Sequence, residues 1–188
     1  MRRSHSPGLD LVLLLIRSKR GFVSAWATLG QCQATDGEGQ IYARAKQVGE
    51  GFAIMYSWFF PYVRDSVWKS KADDWQQIVV WVSGQGTDAT KYQISHIAYS
   101  QPDHYKKEEY KGPKNPLVRY EKMGHKGGMD GRGLSRTLDP GWPYKMVAWE
   151  KFTEHAKAAL RNNFPGDYTA PFSDSQFGGH IDAASKAS

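Results

Sequence analysis

The chain has 188 residues, 40% hydrophobic and 23% charged, with 7 Trp, 10 Tyr and 8 Phe, a globular composition long enough to bury a core within one domain. An aromatic share of 13% beside 19 Gly and 9 Pro suits a β-rich domain with many turns and argues against a helical bundle. The net charge of +6 does not make a nucleic-acid surface: five basic residues against one acid fall in the first twenty, a net of +4 that leaves only +2 elsewhere, too little for a face built to neutralise phosphates.

The chain opens with a basic MRRSHS, an apolar LVLLLI at 11–16, and Ala25-Trp26-Ala27, which has the small-x-small form of a cleavage site. That is the order of a secretory signal. The apolar run is shorter than the usual core of about 7–15 residues and is bounded by Asp10 and Arg17. Residues 1–29 therefore read as an atypical segment, a poor signal or a misassigned start, ahead of a single domain at 30–188. The run is also far below the roughly 20 residues that span a bilayer. Cys32 is the only cysteine and has no internal disulfide partner.

Strands are expected at 40–46 (QIYARAK), 51–60 (GFAIMYSWFF), 76–82, 91–100 (KYQISHIAYS), 116–121 (PLVRYE) and 144–148. In 91–100, alternation sets Ile94, His96 and Ala98 on one face and Ile97 and Tyr99 on the other. Pro102, Pro113 and Pro116 punctuate a charged connection, and 124–133 (GHKGGMDGRG) reads as a surface loop. It lacks the Lys-Ser/Thr of a phosphate loop. Trp149, Phe152, Ala156, Ala159, Leu160 and Asn163 recur at helical spacing, predicting one helix over 149–163 that Pro165-Gly166 closes. Residues 167–188 read as a loop followed by a loosely ordered Ala/Ser-rich tail. The six histidines (His5, His96, His104, His125, His155, His180) show no metal-ligand spacing. The expected fold is mainly β, a central sandwich with flanking helices.

The chemistry-bearing stretch is DSVWKSKADDWQQIVVWV, 65–82. Its end is an apolar strand, but Asp73 and Asp74 precede it, with Lys69 and Lys71 just upstream. Alternation puts Asp74 and Gln76 on one face and Trp75 on the other. On composition alone the two acids read as the solvated start of a strand. A catalytic reading, a hydrolase using Asp73 or Asp74 with a second carboxylate, needs two carboxyl groups in one cleft.

Several stretches resemble the necrosis- and ethylene-inducing peptide-like proteins, the NLP cytolysins of plant-associated microbes. Ala53-Ile54-Met55-Tyr56-Ser57-Trp58-Phe59-Phe60-Pro61 is similar to the family's AIMYSWYFP stretch with one Phe for Tyr. Gln40–Arg44 resembles the strand before it, and Trp75 with Val79-Val80-Trp81 the strand after it. Ala148-Trp149-Glu150 and Pro171-Phe172-Ser173-Asp174 with Phe177 resemble the C-terminal end. The resemblance implies a β-sandwich akin to actinoporins and fungal lectins, secretion into the host apoplast, and no enzymatic activity. It implies a monomer that binds sugar headgroups of plant plasma-membrane sphingolipids with help from a divalent cation, calcium or magnesium. It further implies that 53–61 is a segment read by a plant pattern-recognition receptor, and that loops near Met129 and Trp142 help dock on the membrane, where these two residues are candidate lipid or sugar contacts; Trp142, beside Pro140 and Pro143, reads rather as turn packing.

The family's GHRHDWE heptad aligns with Ser70-Lys71-Ala72-Asp73-Asp74-Trp75-Gln76. Asp74 and Trp75 are retained; Lys71, Asp73 and Gln76 replace two histidines and a glutamate. The resemblance thus implies a metal set of Asp65, Asp74 and Gln76, with Asp73 as a further oxygen and Lys71 in place of a ligand. A His-Gly pair before a Tyr is changed too, at Ser100-Gln101-Pro102-Asp103-His104-Tyr105, and Cys32 resembles the second half of a disulfide whose first half is missing. A protonated lysine has no lone pair for a metal. The expectation is that Lys71 replaces the cation by pairing with Asp74 or Asp65, while Asp73 leaves a weak calcium site open. Two functional readings follow: an NLP-like toxin or effector, and a degenerate member that keeps recognition and has lost lysis.

Overall fold

The computed structural model describes residues 15–18, 40–64, 70–83, 92–123, 131–139, 142–162 and 169–188; of 15–18, 61–64, 70–73, 142–143 and 161–162 it describes the backbone alone. In chain order the elements are β1 (Leu15–Ser18), β2 (Gln40–Val48), β3 (Gly51–Arg64), β4 (Ser70–Ser83), β5 (Gln93–Ser100), β6 (Tyr105–Glu109), β7 (Leu117–Met123), β8 (Gly131–Thr137), β9 (Trp142–Pro143) and β10 (Lys145–Ala148). A 3-10 turn at Trp149–Lys151 and the helices α1 (Glu154–Asn162) and α2 (Phe177–Lys186) follow. Six strands form one sheet in the order β10-β2-β3-β4-β5-β6, and four form a second, β8-β7-β1-β9. The second sheet thus draws β1 from the N-terminal segment set apart above, pairing it parallel to β7 and antiparallel to β9.

The long ladders β2–β3–β4–β5 are antiparallel. Gly49, at φ 59°, supplies the left-handed residue of the two-residue turn joining β2 to β3. The near-continuous apolar runs of β3 and β4 reflect burial on both faces. Ile54, Tyr56, Trp58, Ile78, Val80, Ile97 and Tyr99 meet Val118, Tyr120 and Leu134 of the second sheet. Ala53, Met55, Val79 and Ala98 face the other way, beneath Trp149, Phe172, Phe177, Ile181 and Ala184. Each such large side chain contributes about 1.5–3 kcal/mol on leaving water. The fold is therefore the β-sandwich with flanking helices that the sequence predicts.

Four local expectations are corrected. A β-bulge shifts the β4–β5 register between Trp81 and Val82, so Ile94 joins Ile97 and Tyr99 in the inter-sheet core while Ala98 faces outward; one inserted residue inverts the alternation beyond it. The charged segment after Pro102 contains β6, an edge strand whose Lys and Glu suit an unpaired border. Gly131–Gly133, expected in a loop, begin β8; a Cβ at Gly133 would lie 2.9 Å from the Ser100 carbonyl oxygen, so glycine permits the sheets to approach there. The single helix over 149–163 is instead the 3-10 turn and α1, because the Thr153 hydroxyl accepts the Ala156 N–H (3.2 Å) and starts a new helix.

The C-terminal tail is the largest departure. Residues 177–186 form α2, burying Phe177, Ile181 and Ala184, a helical stripe that the Ala/Ser-rich composition obscured. Polar contacts fix it. Arg44 of β2 donates to the Phe172 carbonyl (2.9 Å) and to Asp174 (2.8 Å) while lying 4.7 Å from the Phe177 ring centroid. Lys107 of β6 donates to the Ser185 carbonyl at the helix C-terminus (2.7 Å). Among the described residues, no helix is long and apolar enough to cross a membrane.

Beneath α2, Gln77 Nε2 donates to the Tyr105 hydroxyl (2.7 Å), which lies 3.0 Å from His180 Nδ1. Burial raises the Tyr105 pKa and lowers that of His180, so the phenol keeps its proton and the neutral imidazole is favoured. Between the lowered His180 value and about 6.5, the unfolded chain holds the extra proton and stability rises with pH. Acidification through that window should lower the melting temperature, and His180→Gln should remove part of the slope. An unchanged slope in the variant would mean that His180 stays solvated.

Candidate functional site

β4 brings Asp74 opposite Phe60 and Gln76 opposite Trp58 of β3. Both polar side chains enter the space between the sheets, with Asp74 only 1% and Gln76 5% exposed. The Phe60 ring stacks on Tyr120 of β7 at 4.0 Å and 9°. That stacking carries the phenol of the opposing sheet to the acid, and Tyr120 donates to Asp74 Oδ2 at 2.9 Å. Gln76 Nε2 donates to the same oxygen at 2.9 Å. The Gln76 carbonyl oxygen accepts from Ser100 Oγ (2.6 Å), and that hydroxyl accepts the Gln77 backbone N–H (3.1 Å). The amide orientation follows from its neighbours, since a carboxylate on one side demands the NH2 group there.

Trp75 takes the outer face, 4.8 Å from Phe59, 5.4 Å from Phe172 and 5.7 Å from Tyr42 between ring centroids. It belongs to the aromatic layer under the C-terminal segment. The acid pair is therefore no solvated start of a strand at Asp74, which is buried and bonded to both sheets.

Of the remaining candidates, Asp65 and Met129 lie outside the described residues, and only the backbone is described for Pro61, Lys71, Asp73 and Trp142. Lys71 stands opposite Val63 in the β3–β4 ladder, and Trp142 pairs with Ile16 in β9. The pairing of Lys71 with Asp74 or Asp65 involves side chains outside those described. Ala53 to Trp58 are buried in the middle of β3, and Phe59 and Phe60 are half-buried. His104 sits exposed, 2.6 Å from Asp103. Tyr120 was missed by sequence reasoning, and nothing local to PLVRYE announces a partner on another sheet. Ser100 enters the sequence reading only through the altered His-Gly position, with no sign of its bond to Gln76.

A hard divalent cation takes six to eight oxygen ligands when it is calcium and a strict octahedron when it is magnesium. The described residues do not fit one. Asp74 Oδ2 faces two hydrogen-bond donors, and the Gln76 carbonyl oxygen is engaged by Ser100. Among the described residues no three His, Cys, Asp or Glu side chains converge on a metal position.

Residues 17–184 match the family model described as Necrosis inducing protein (NPP1). The chain belongs to the NPP1 necrosis-inducing protein family. It is 28% identical over 171 residues to NLP effector protein 8 of Plasmopara viticola, covering 85% of this chain and 67% of that protein. Over 154 residues it is 28% identical to the necrosis-inducing protein NPP1 of Phytophthora nicotianae, covering 78% of this chain and 62% of the relative. The chain thus spans about two thirds of the length of these curated relatives. Among solved NPP1-type folds, the non-toxic HaNLP3 protein superposes with a TM-score of 0.70 at 21% identity, over 95% of this chain and 89% of that one. NLPPya, solved in complex with mannosamine, gives 0.64 at 26% identity over 78% of this chain and 67% of that one.

Proposed function

We propose that this NPP1-family protein is a secreted effector of a plant-associated microbe. It binds sugar headgroups of plant sphingolipids at the host membrane, acts as a monomer, and has weakened lytic power. Similarity to NLPPya, whose structure holds mannosamine, supports sugar recognition. The observation that carries weakened lysis is the Asp74 carboxylate held by Gln76 and Tyr120, where the family heptad has a second acid. The same amide disfavours a hydrolase, since position 76 supplies no second carboxyl beside Asp74.

Vesicles with and without plant glycosylated sphingolipid test this reading. Sedimentation with the glycolipid vesicles alone is expected, competed by free glucosamine or mannosamine, with little release of trapped dye. Equal binding to both vesicle types removes the sugar-headgroup reading, and rapid dye release at low dose removes weakened lysis. A second reading, a pattern sensed by a plant receptor, is favoured by Ala53–Phe60, whose sequence keeps the AIMYSW core.

A further inference from the structure

We infer that this protein closes its inter-sheet acid site with its own side chains, the Gln76 amide and the Tyr120 phenol standing where a divalent cation would otherwise hold the carboxylate. The inference stands independently of what the protein binds.

A carboxylate only 1% exposed must be satisfied by donors or by a cation. Here two donors converge on one oxygen from different sheets, Gln76 Nε2 from β4 and Tyr120 from β7, both at 2.9 Å. The donors are themselves anchored. Ser100 of β5 donates to the Gln76 carbonyl and is oriented by the Gln77 N–H, which fixes the amide with its NH2 toward Asp74. Phe60 stacks flat on Tyr120 and fixes the phenol. Both groups spend a proton on Asp74 Oδ2, and the Gln76 NH2 has no lone pair to give a cation there.

The residue at 76 decides the behaviour of the site. Gln76→Glu exchanges the NH2 donor for a second carboxylate oxygen beside Asp74. Two buried acids at that separation repel unless a cation or proton joins them. The variant should therefore acquire a requirement for calcium that the natural sequence lacks.

The test is thermal unfolding of the intact protein in chelator, in millimolar calcium and in millimolar magnesium. The natural protein is expected to melt at the same temperature in all three, within about 1 °C. Gln76→Glu is expected to melt lower in chelator and to recover by roughly 5–10 °C in calcium, the shift for an ion at about 100 times its Kd acting on a domain of this size. Folding of the variant in calcium alone also supports the inference. If it folds in no condition, the natural protein decides alone: identical melting with chelator and with calcium, and no calorimetric heat of binding at micromolar ion, upholds the closed site. A calcium- or magnesium-dependent rise of several degrees in the natural protein overturns it, as does a folded Gln76→Glu that ignores calcium.

Discussion

Phe172→Ala is expected to destabilise the protein by about 3–5 kcal/mol, the range for deleting a fully buried Phe. Its ring is wholly buried and lies within 5.0 Å of Tyr42, 5.4 Å of Trp75 and 5.7 Å of Trp149, centroid to centroid. Its carbonyl also accepts the Arg44 guanidinium, so the residue joins the C-terminal segment to the sheet by side chain and backbone at once. The melting temperature should fall by roughly 6–20 °C, from about 2–4 °C per kcal/mol for a domain of this size. Phe172→Leu should lose much less. A loss under about 1 kcal/mol for the alanine variant would mean that the aromatic layer collapses to fill the void, against the usual partial relaxation of such sites.

Asp74→Ala is the second large effect. It removes the acceptor that the Gln76 amide and the Tyr120 phenol share in the inter-sheet space, at about 1–3 kcal/mol for each buried hydrogen bond left unmade, or roughly 2–6 kcal/mol together. Asp74→Asn keeps one acceptor oxygen and should cost about half as much. Urea denaturation of the two variants, with Tyr120→Phe completing a double-mutant cycle, separates the cross-sheet bond from the rest. Equal midpoints for the alanine and asparagine variants would show that Tyr120 and Gln76 find water once the acid is gone.

The sandwich was legible because its central strands are covered on both faces. Runs such as Ala53–Trp58 and Ile78–Val82 leave no alternation to misread, only length and β-branched content. What escaped depended on contacts distant in sequence or on a single residue. The bulge before Val82 inverts the face of Ile94, and no pattern within 91–100 encodes it. Thr153 carries a helix-start signal that the apolar stripe of 149–163 overrode. The stripe Phe177-Ile181-Ala184 was present and was outweighed by a tail rich in small residues. At the site, Asp74 and Gln76 share a face by simple alternation, but the partner that gives them meaning, Tyr120, lies 46 positions away on the other sheet. The replacement of an acid by Gln76 was visible as lost charge; its role as a donor needed the hydroxyl of Ser100 behind it.

The burial of Ala53 to Trp58 at the centre of β3 has an evolutionary consequence. Ala53, Ile54, Met55, Tyr56 and Ser57 are all 0% exposed and Trp58 is 3% exposed, so a host sensor tuned to this stretch would meet it only in fragments of the chain. Such a sensor would also be hard to evade. Escape by mutation would have to pass through large-to-small or overpacked core changes, each costing about 1–5 kcal/mol, within a stability of only about 5–15 kcal/mol. The room for change in this strand is set by the packing of the protein's own core.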